Sequence, residues 1–444
     1  APVLLTPFHA SAQEYFQQEV NYRIRVRLDD QDHMLRGFEK IRYTNNAPEA
    51  LDKIHFHLWP NAYKNNLTTL AREQFRSEGK HHLFKNKAQQ GFIDSLNFRI
   101  NGKEAHWEYD PEHIDICKVY LNEPLESGET VTITTPFHVK IPLGVTSRMG
   151  HIGQGYKITQ WYPKPAVYDR FGWHPMPYRD MGEFYSEFGS FEVSITLPEN
   201  YVVAASGQLQ TQSEIKWLNE RAVQSASKFS FDPKDMEIPV SAGKNKTIRY
   251  TLENAHDFAW FADKRYHVMK DSVKLPNSEK HVTTWAYFTN DQAELWRNAT
   301  NYINDAISYY SRWYGDYGYN TCSAVLGAAG SRGTGMEYPT ITAIGHTQQA
   351  SMLEQVIMHE EGHNWSYGMP RFNERRYPFL DEGINTFSEI RYMQNKYPDE
   401  NELYKMLGMD PGLTKVLGGD HLRYRYLHAF TYLLLGRRNT DQPI

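Results

Sequence analysis

The first strict alternation along the chain lies in NYRIRVRL, where Tyr22, Ile24, Val26 and Leu28 fall on one face and Arg23, Arg25 and Arg27 on the other. A period of two is the signature of a strand with one face buried. LRGFEKIRYT, from Leu35 to Thr44, keeps the same period, as do DKIHFHLW, TVTITTPFHVKI and GSFEVSITLP further on. Turn-forming clusters such as NNAPEA, INGKEA and ESGET separate these runs. The first ~260 residues therefore read as short strands joined by polar turns, the pattern of a large antiparallel sheet or sandwich.

Beyond Trp285 the period changes. Leu295, Ala299, Tyr302, Ile303, Ala306, Ile307 and Tyr310 recur at helical spacing in a run that stops at Gly315. SMLEQVIMHEEGHNWSYGMP predicts a second helix, with Ser351 and Glu354 as a capping box and Gly368 and Pro370 as its end. LDEGINTFSEIRYMQNKYP predicts a third, with Asp381 as N-cap and Pro398 as the stop. The change of period divides the chain into an N-terminal β domain, 1–270, and a mostly helical domain, 271–444, with no linker marking the boundary. There are no internal repeats and no low-complexity tracts.

Composition narrows the function. The 444 residues are 40% apolar and 23% charged, as in an ordinary globular protein, and the net charge of −5 with no basic run argues against a nucleic-acid partner. Aromatic residues are plentiful, which a β-rich fold explains better than a ligand-binding face. The two cysteines, Cys117 and Cys322, form no CxxC and exclude thiolate zinc fingers. No apolar run approaches the ~18 residues of a membrane span. The opening APVLLTPF has neither an initiator Met nor a basic stretch. A mature protein freed of its signal peptide would look so, and an arbitrary boundary equally. The expectation taken is an extracytoplasmic location, periplasmic or secreted.

The chemistry concentrates in MHEEGHNW, Met358 to Trp365. At about 100° per residue, His359 and His363 share one helical face, at a spacing suited to one zinc ion. Relative to the middle of that pair Glu360 sits about 80° to one side and Glu361 about 180° away. Glu360 is thus the candidate general base. Glu361 is expected on the core side, in a second polar layer or in solvent. Gly362, costing about 1 kcal/mol in a helix, predicts close packing of another element. Nineteen residues after His363, Glu382 offers a third ligand and leaves a fourth position open. Glu389, seven residues on along the same face, is placed either to hold a ligand histidine's second nitrogen or simply to face solvent. Upstream, Glu337 in GTGMEYPTITAI precedes an apolar β-like run, whose edge position would let a peptide backbone lie beside it. Its carboxylate either meets a cationic group or is an ordinary loop carboxylate.

Taken together, HEEGHNW, the later LDEG glutamate and GMEYP resemble the gluzincin aminopeptidases, the family of aminopeptidase N and leukotriene hydrolase. GMEYP is similar to that family's exopeptidase motif, at the family's distance before the zinc motif. ITQWYPKPAVYDRFGWHPMPY and ENAHDFAWFAD are looser matches. The resemblance implies an α+β multidomain fold, an N-terminal β saddle followed by a thermolysin-like catalytic domain. It implies one Zn2+ held by His359, His363 and Glu382, with Glu360 as base. It implies a peptide partner with a free N-terminus, bound at Glu337, Gly335, Met336 and Gln160. Three departures stand out. Tyr338 replaces the motif's Asn. Tyr162 stands where many relatives carry a second amine-binding carboxylate. The transition-state tyrosine is expected about sixty residues beyond the last ligand, past Ile444, so that the catalytic domain is expected to be C-terminally incomplete. The function implied is a zinc aminopeptidase. The alternatives are a zinc endopeptidase or other hydrolase of that fold, and a non-catalytic relative.

Overall fold

The computed structural model describes residues 15–78, 84–327, 335–397 and 424–437. The alternating runs become the long strands of a nine-stranded sheet, Glu19–Asp29, Met34–Thr44, Thr130–Lys140, Gly189–Pro198 and Asn245–Ala255 among them. The first two pair antiparallel in unbroken register, Glu19 against Thr44 through Asp29 against Met34. The sheet is not antiparallel throughout, as the alternation had suggested. Glu19–Asp29 also runs parallel to Gly189–Pro198, with Tyr22 opposite Phe191 and Arg27 opposite Thr196. That partner comes from far along the chain, so no tight turn dictates its direction, and alternation alone carries no sense of direction. A five-stranded, a four-stranded and a two-stranded sheet complete this region among the described residues. Its core is aromatic: Trp59, Trp161, Trp260, Tyr43, Tyr63 and Tyr156 are all at most 1% exposed.

From His267 a second architecture begins, and it does not open on helices. Five strands form a mixed sheet in the order His267–Lys274, His281–Phe288, Thr321–Leu326, Ile341–Ile344, Gly335–Tyr338. The helix Ala299–Tyr314 crosses between the parallel strands His281–Phe288 and Thr321–Leu326. The helical run is broken at Arg297–Asn298, leaving the short helix Ala293–Trp296 ahead of it. The last strand, Gly335–Tyr338, lies at the sheet edge, antiparallel to Ile341–Ile344. Thr340, at φ +66°, turns the chain between them, and its hydroxyl accepts the Gly207 N–H at 2.6 Å, tying the edge hairpin to the N-terminal region.

Two helix starts differ from expectation. The helix Ala350–Ser366 has Gln349 at its N-cap and no side-chain cap. Glu354, expected in the capping box, is 2% exposed and instead accepts hydrogen bonds from Tyr397 Oη at 2.6 Å and from Lys396 Nζ and Tyr392 Oη. A carboxylate reached by three tertiary donors has no reason to turn back to the helix end. Asp381 is likewise no N-cap. It lies inside a π-helical turn, Phe379–Gly383, which runs directly into the helix Ile384–Lys396. The predicted stop at Pro398 lies outside the described residues; the helix ends at Lys396. No helix among the described residues is long and apolar enough to cross a membrane.

Candidate metal centre

Helical spacing places His359 and His363 one turn apart, with their Nε2 atoms 3.3 Å from each other. The π-helical turn delivers Glu382, whose Oε2 stands 3.2 Å from His359 Nε2 and 4.0 Å from His363 Nε2. Ligands about 2.05 Å from a tetrahedral zinc are roughly 3.3 Å apart. The three donors therefore converge at separations close to those a single zinc ion needs.

The opposite ring nitrogens are both taken by carboxylates. His359 Nδ1 lies 3.0 Å from Glu389 Oε2, and Gln355 Nε2 donates to the other Glu389 oxygen at 2.8 Å. His363 Nδ1 lies 2.5 Å from Asp381 Oδ1. A carboxylate accepting the Nδ1 proton leaves Nε2 as the lone-pair nitrogen, turned toward the metal position. Sequence reasoning read Asp381 only as a cap. Its place beside the candidate ligand Glu382 was a signal that could have suggested more.

Gly362 admits a second support. A Cβ there would fall 2.0 Å from Asn385 Oδ1 and 2.2 Å from the Tyr310 hydroxyl. Through that gap Tyr310 Oη donates to Asn385 Oδ1 at 2.6 Å, and Asn385 Nδ2 donates to the His359 carbonyl at 2.6 Å. The helix bearing the histidines is thus pinned on its backbone as well as on its rings.

The two neighbouring glutamates separate as the helical-face geometry requires. Glu361 is 1% exposed and points into the sheet, where Thr342 Oγ1 donates at 3.1 Å and Cys322 Sγ at 2.7 Å. Burial raises it to about 8. Glu360 faces the metal position and packs on Gly335; a Cβ at that glycine would sit 2.2 Å from Glu360 Oε1. Burial raises Glu360 to about 7, with the two histidines opposing the rise. Carboxylates partner both histidines against the effect of burial, lifting His359 to about 10 and His363 to about 9 in the metal-free protein. The same imidazoles hold Glu382 below its ordinary range although burial works the other way.

Glu337, on the edge strand, has a carboxylate oxygen within 4.8 Å of donor atoms of Glu360 and His363. Burial, then the charges of Glu183, Asp381, Glu360 and Glu382, push it well above the usual carboxyl range. Met336 is buried, its sulfur accepting from Arg148 Nε at 3.0 Å, and Arg148 pairs with Glu183 at 2.7 Å. Gln160, in the left-handed region at φ +48°, accepts the Tyr338 hydroxyl at 3.2 Å and is 3% exposed. Gln160 and Tyr338, two positions singled out separately in the sequence, thus touch. Tyr162 is buried with its hydroxyl on Asp257 Oδ1 at 2.9 Å. A cavity of about 350 Å3 lined by Gly207, Thr251, Tyr319, Asn364 and Arg371 includes none of the predicted site residues.

No protein-family model and no curated protein sequence matches the chain. In fold it is similar to the M1 zinc metallopeptidases. A two-domain M1 zinc metallopeptidase, solved as a point mutant bound to L-arginine, shares 15% identity over 86% of this chain and 72% of that one, with a TM-score of 0.55. The M1 zinc metallopeptidase of Deinococcus radiodurans gives 15% identity, 86% and 71% coverage and a TM-score of 0.55. A mutant of that enzyme bound to a Tyr-Ser-Ala substrate gives 14%, 86%, 72% and 0.53.

Proposed function

We propose that the chain is a zinc-dependent aminopeptidase that removes the N-terminal residue of peptides. The observation that carries this reading is the convergence of His359 Nε2, His363 Nε2 and Glu382 Oε2, with Glu360 and Glu337 beside them. One Zn2+ bound there would polarise the scissile carbonyl and acidify the attacking water. Glu360, poised near neutrality, takes the proton from that water and passes it to the leaving amine. Asp381 and Glu389 hold the imidazoles in the ligating tautomer throughout. The strand Gly335–Tyr338, at the sheet edge among the described residues, accepts the substrate backbone as an added strand. Glu337 receives the substrate's α-ammonium, which limits cleavage to the first residue. Such a charge-assisted contact contributes about 1.5–3 kcal/mol.

The test is metal analysis together with hydrolysis of a panel of aminoacyl amides, each offered free and amino-blocked. One zinc per chain and strong preference for the free amine are expected. Equal hydrolysis of both forms would make the protein an endopeptidase, and absence of zinc would end the metallopeptidase reading altogether.

A further inference from the structure

Thr340, which turns the chain out of the edge strand, stands in a backbone conformation its side chain disfavours. Its φ is +66° and it is fully buried. A β-branched residue in the left-handed region is a steric outlier, where glycine would sit freely. Such a conformation persists only where the surroundings hold it, and it clusters at functional sites. Three directions hold Thr340. Its Oγ1 accepts the Gly207 N–H, which belongs to the N-terminal region, at 2.6 Å. Its own N–H donates to Asn364 Oδ1, on the zinc-motif helix, at 3.4 Å. Its carbonyl accepts the Ser323 N–H, on the strand Thr321–Leu326, at 3.0 Å.

The last two bonds use the backbone, and glycine would make them as well. Only the bond to Gly207 requires a hydroxyl. Its donor is rigidly placed. Gly207 has φ +79°, and a Cβ there would meet the Thr251 carbonyl oxygen at 2.4 Å. The preceding Ser206 donates its N–H to the Ala259 carbonyl at 2.9 Å and accepts the Ala259 N–H on its hydroxyl at 3.1 Å. Packing alone does not fix the junction, because Gly207, Thr340 and Asn364 all border the cavity of about 350 Å3. A second tie crosses between the same two regions two residues earlier, where Tyr338 Oη donates to Gln160 Oε1 at 3.2 Å. Between these ties and the open end of the strand stands Glu337, with a carboxylate oxygen within 4.8 Å of donor atoms of Glu360 and His363.

We infer that Thr340 is a positioning residue for amine recognition: its hydroxyl anchors the end of the edge strand to Gly207 and so sets where the Glu337 carboxylate stands relative to the metal position. A glycine would turn the chain with less strain but would leave the strand without this anchor. The N-terminal region thereby takes part in placing a group of the catalytic domain. The inference rests on the aminopeptidase reading, in which Glu337 receives the substrate's ammonium.

The experiment measures inhibition constants of two metal-chelating probes on the zinc-loaded protein, leucine hydroxamate and its des-amino counterpart. Both probes present the same chelating group, so the ratio of their affinities reads the grip on the amine. The ratio is taken in the unmodified protein, Thr340→Ala, Thr340→Gly, Thr340→Ser, Glu337→Ala and Glu337→Ala/Thr340→Ala. A misplacement of about 1 Å can cost on the order of a hundredfold at a positioned group. Thr340→Ala and Thr340→Gly should therefore lower the ratio about ten- to hundredfold, with zinc content and the affinity of the des-amino probe unchanged. Thr340→Ser keeps the acceptor and should stay within about threefold of the unmodified protein. In the Glu337→Ala background Thr340→Ala should change the ratio no further, because a residue acting through Glu337 has nothing left to act on. Thr340→Gly removes the hydroxyl and the strain together, so it decides the matter should Thr340→Ala not fold. A ratio unchanged in the Gly variant, a loss that Ser does not restore, equal weakening of both probes, or a further loss in the double variant would overturn the inference alone. Equal affinity of the two probes in the unmodified protein would instead end the aminopeptidase reading, and the inference with it.

Discussion

Buried charge is handled in opposite ways at two places in the molecule, around Lys164 and around the zinc-motif helix. In the N-terminal region Lys164 and Asp257 form an ion pair at 2.9 Å, with side chains 1% and 5% exposed. Tyr162 Oη and the Phe258 N–H also donate to Asp257, and Lys164 lies over the rings of Trp59 and Tyr162. Each of these two charges has its counter-charge and its hydrogen bonds. Around the zinc-motif helix Glu337, Glu360, Glu374, Asp381, Glu382 and Glu389 gather, and among the described residues the positive partners are fewer: the two histidines, Lys157 near Glu360, and Arg148 on Glu183. The first arrangement is closed and needs nothing more. The second carries excess negative charge, which a divalent cation and an ammonium group would neutralise.

The largest expected effect probes the open arrangement. Glu360→Gln should lower turnover about 10²- to 10⁴-fold while zinc content and melting temperature hold, because this carboxylate moves protons and is no ligand. Loss of zinc in that variant, read by metal analysis, would show that Glu360 coordinates.

Asp257→Ala addresses the closed arrangement. Removing one partner of a buried pair leaves Lys164 uncompensated and should destabilise the fold by about 3–5 kcal/mol. Denaturant unfolding checks this, with the zinc affinity of the folded protein expected to be unchanged. A stability cost under about 1 kcal/mol would mean the pair is not closed as described.

Glu337→Ala should cost about 1.5–3 kcal/mol in kcat/KM on free-amine substrates and little on amino-blocked ones. Equal losses on both would remove Glu337 from amine recognition.

Metal uptake should release protons. With His359 raised to about 10 and His363 to about 9, both rings are protonated at pH 7 in the metal-free protein. Ligation through Nε2 displaces a proton from each, so about two protons should leave per zinc, and affinity should rise with pH up to about 10. Calorimetry in buffers of different ionisation enthalpy counts them; zero release would contradict the paired-carboxylate electrostatics of the site.

Much of this was legible in the residues. Periods of two and of 3.6 located the long strands and the helices, because alternation and helical spacing are local properties. The helical-face argument for Glu360 and Glu361 needed only 100° per residue. What escaped was tertiary. Glu354 looked like half of a capping box, but Lys396 and Tyr397 reach it from another helix. Asp381 read as a cap because it precedes a helical run, and no local pattern announces a π-helical turn that points it at His363. The mixed sheet from His267 was hidden because its short strands, Gly335–Tyr338 and Ile341–Ile344 among them, are too brief to establish a period.

The smallest effect on turnover belongs to Glu361→Gln, and it tests whether the open arrangement has a closed layer beneath it. Glu361 is as buried as Glu360, but Thr342, Cys322 and Asn364 all donate to it. Gln keeps the shape, so turnover should stay within about threefold. The difference should show in stability against pH. Burial holds Glu361 at about 8 in the folded protein, whereas in the unfolded chain it titrates near 4.3. Between those values the folded state keeps a proton that the unfolded state has released. Stability from this group is therefore complete below about pH 4.3 and is lost as pH rises toward 8, by up to about 1.4 kcal/mol per unit. Glu361→Gln cannot lose that proton. Its stability relative to the unmodified protein should therefore grow from pH 5 to pH 8, measured by denaturant unfolding at fixed zinc. A difference independent of pH would show Glu361 ionised and its layer open to charge. Collapse of turnover in this variant, with Glu360→Gln spared, would exchange the roles of the two glutamates.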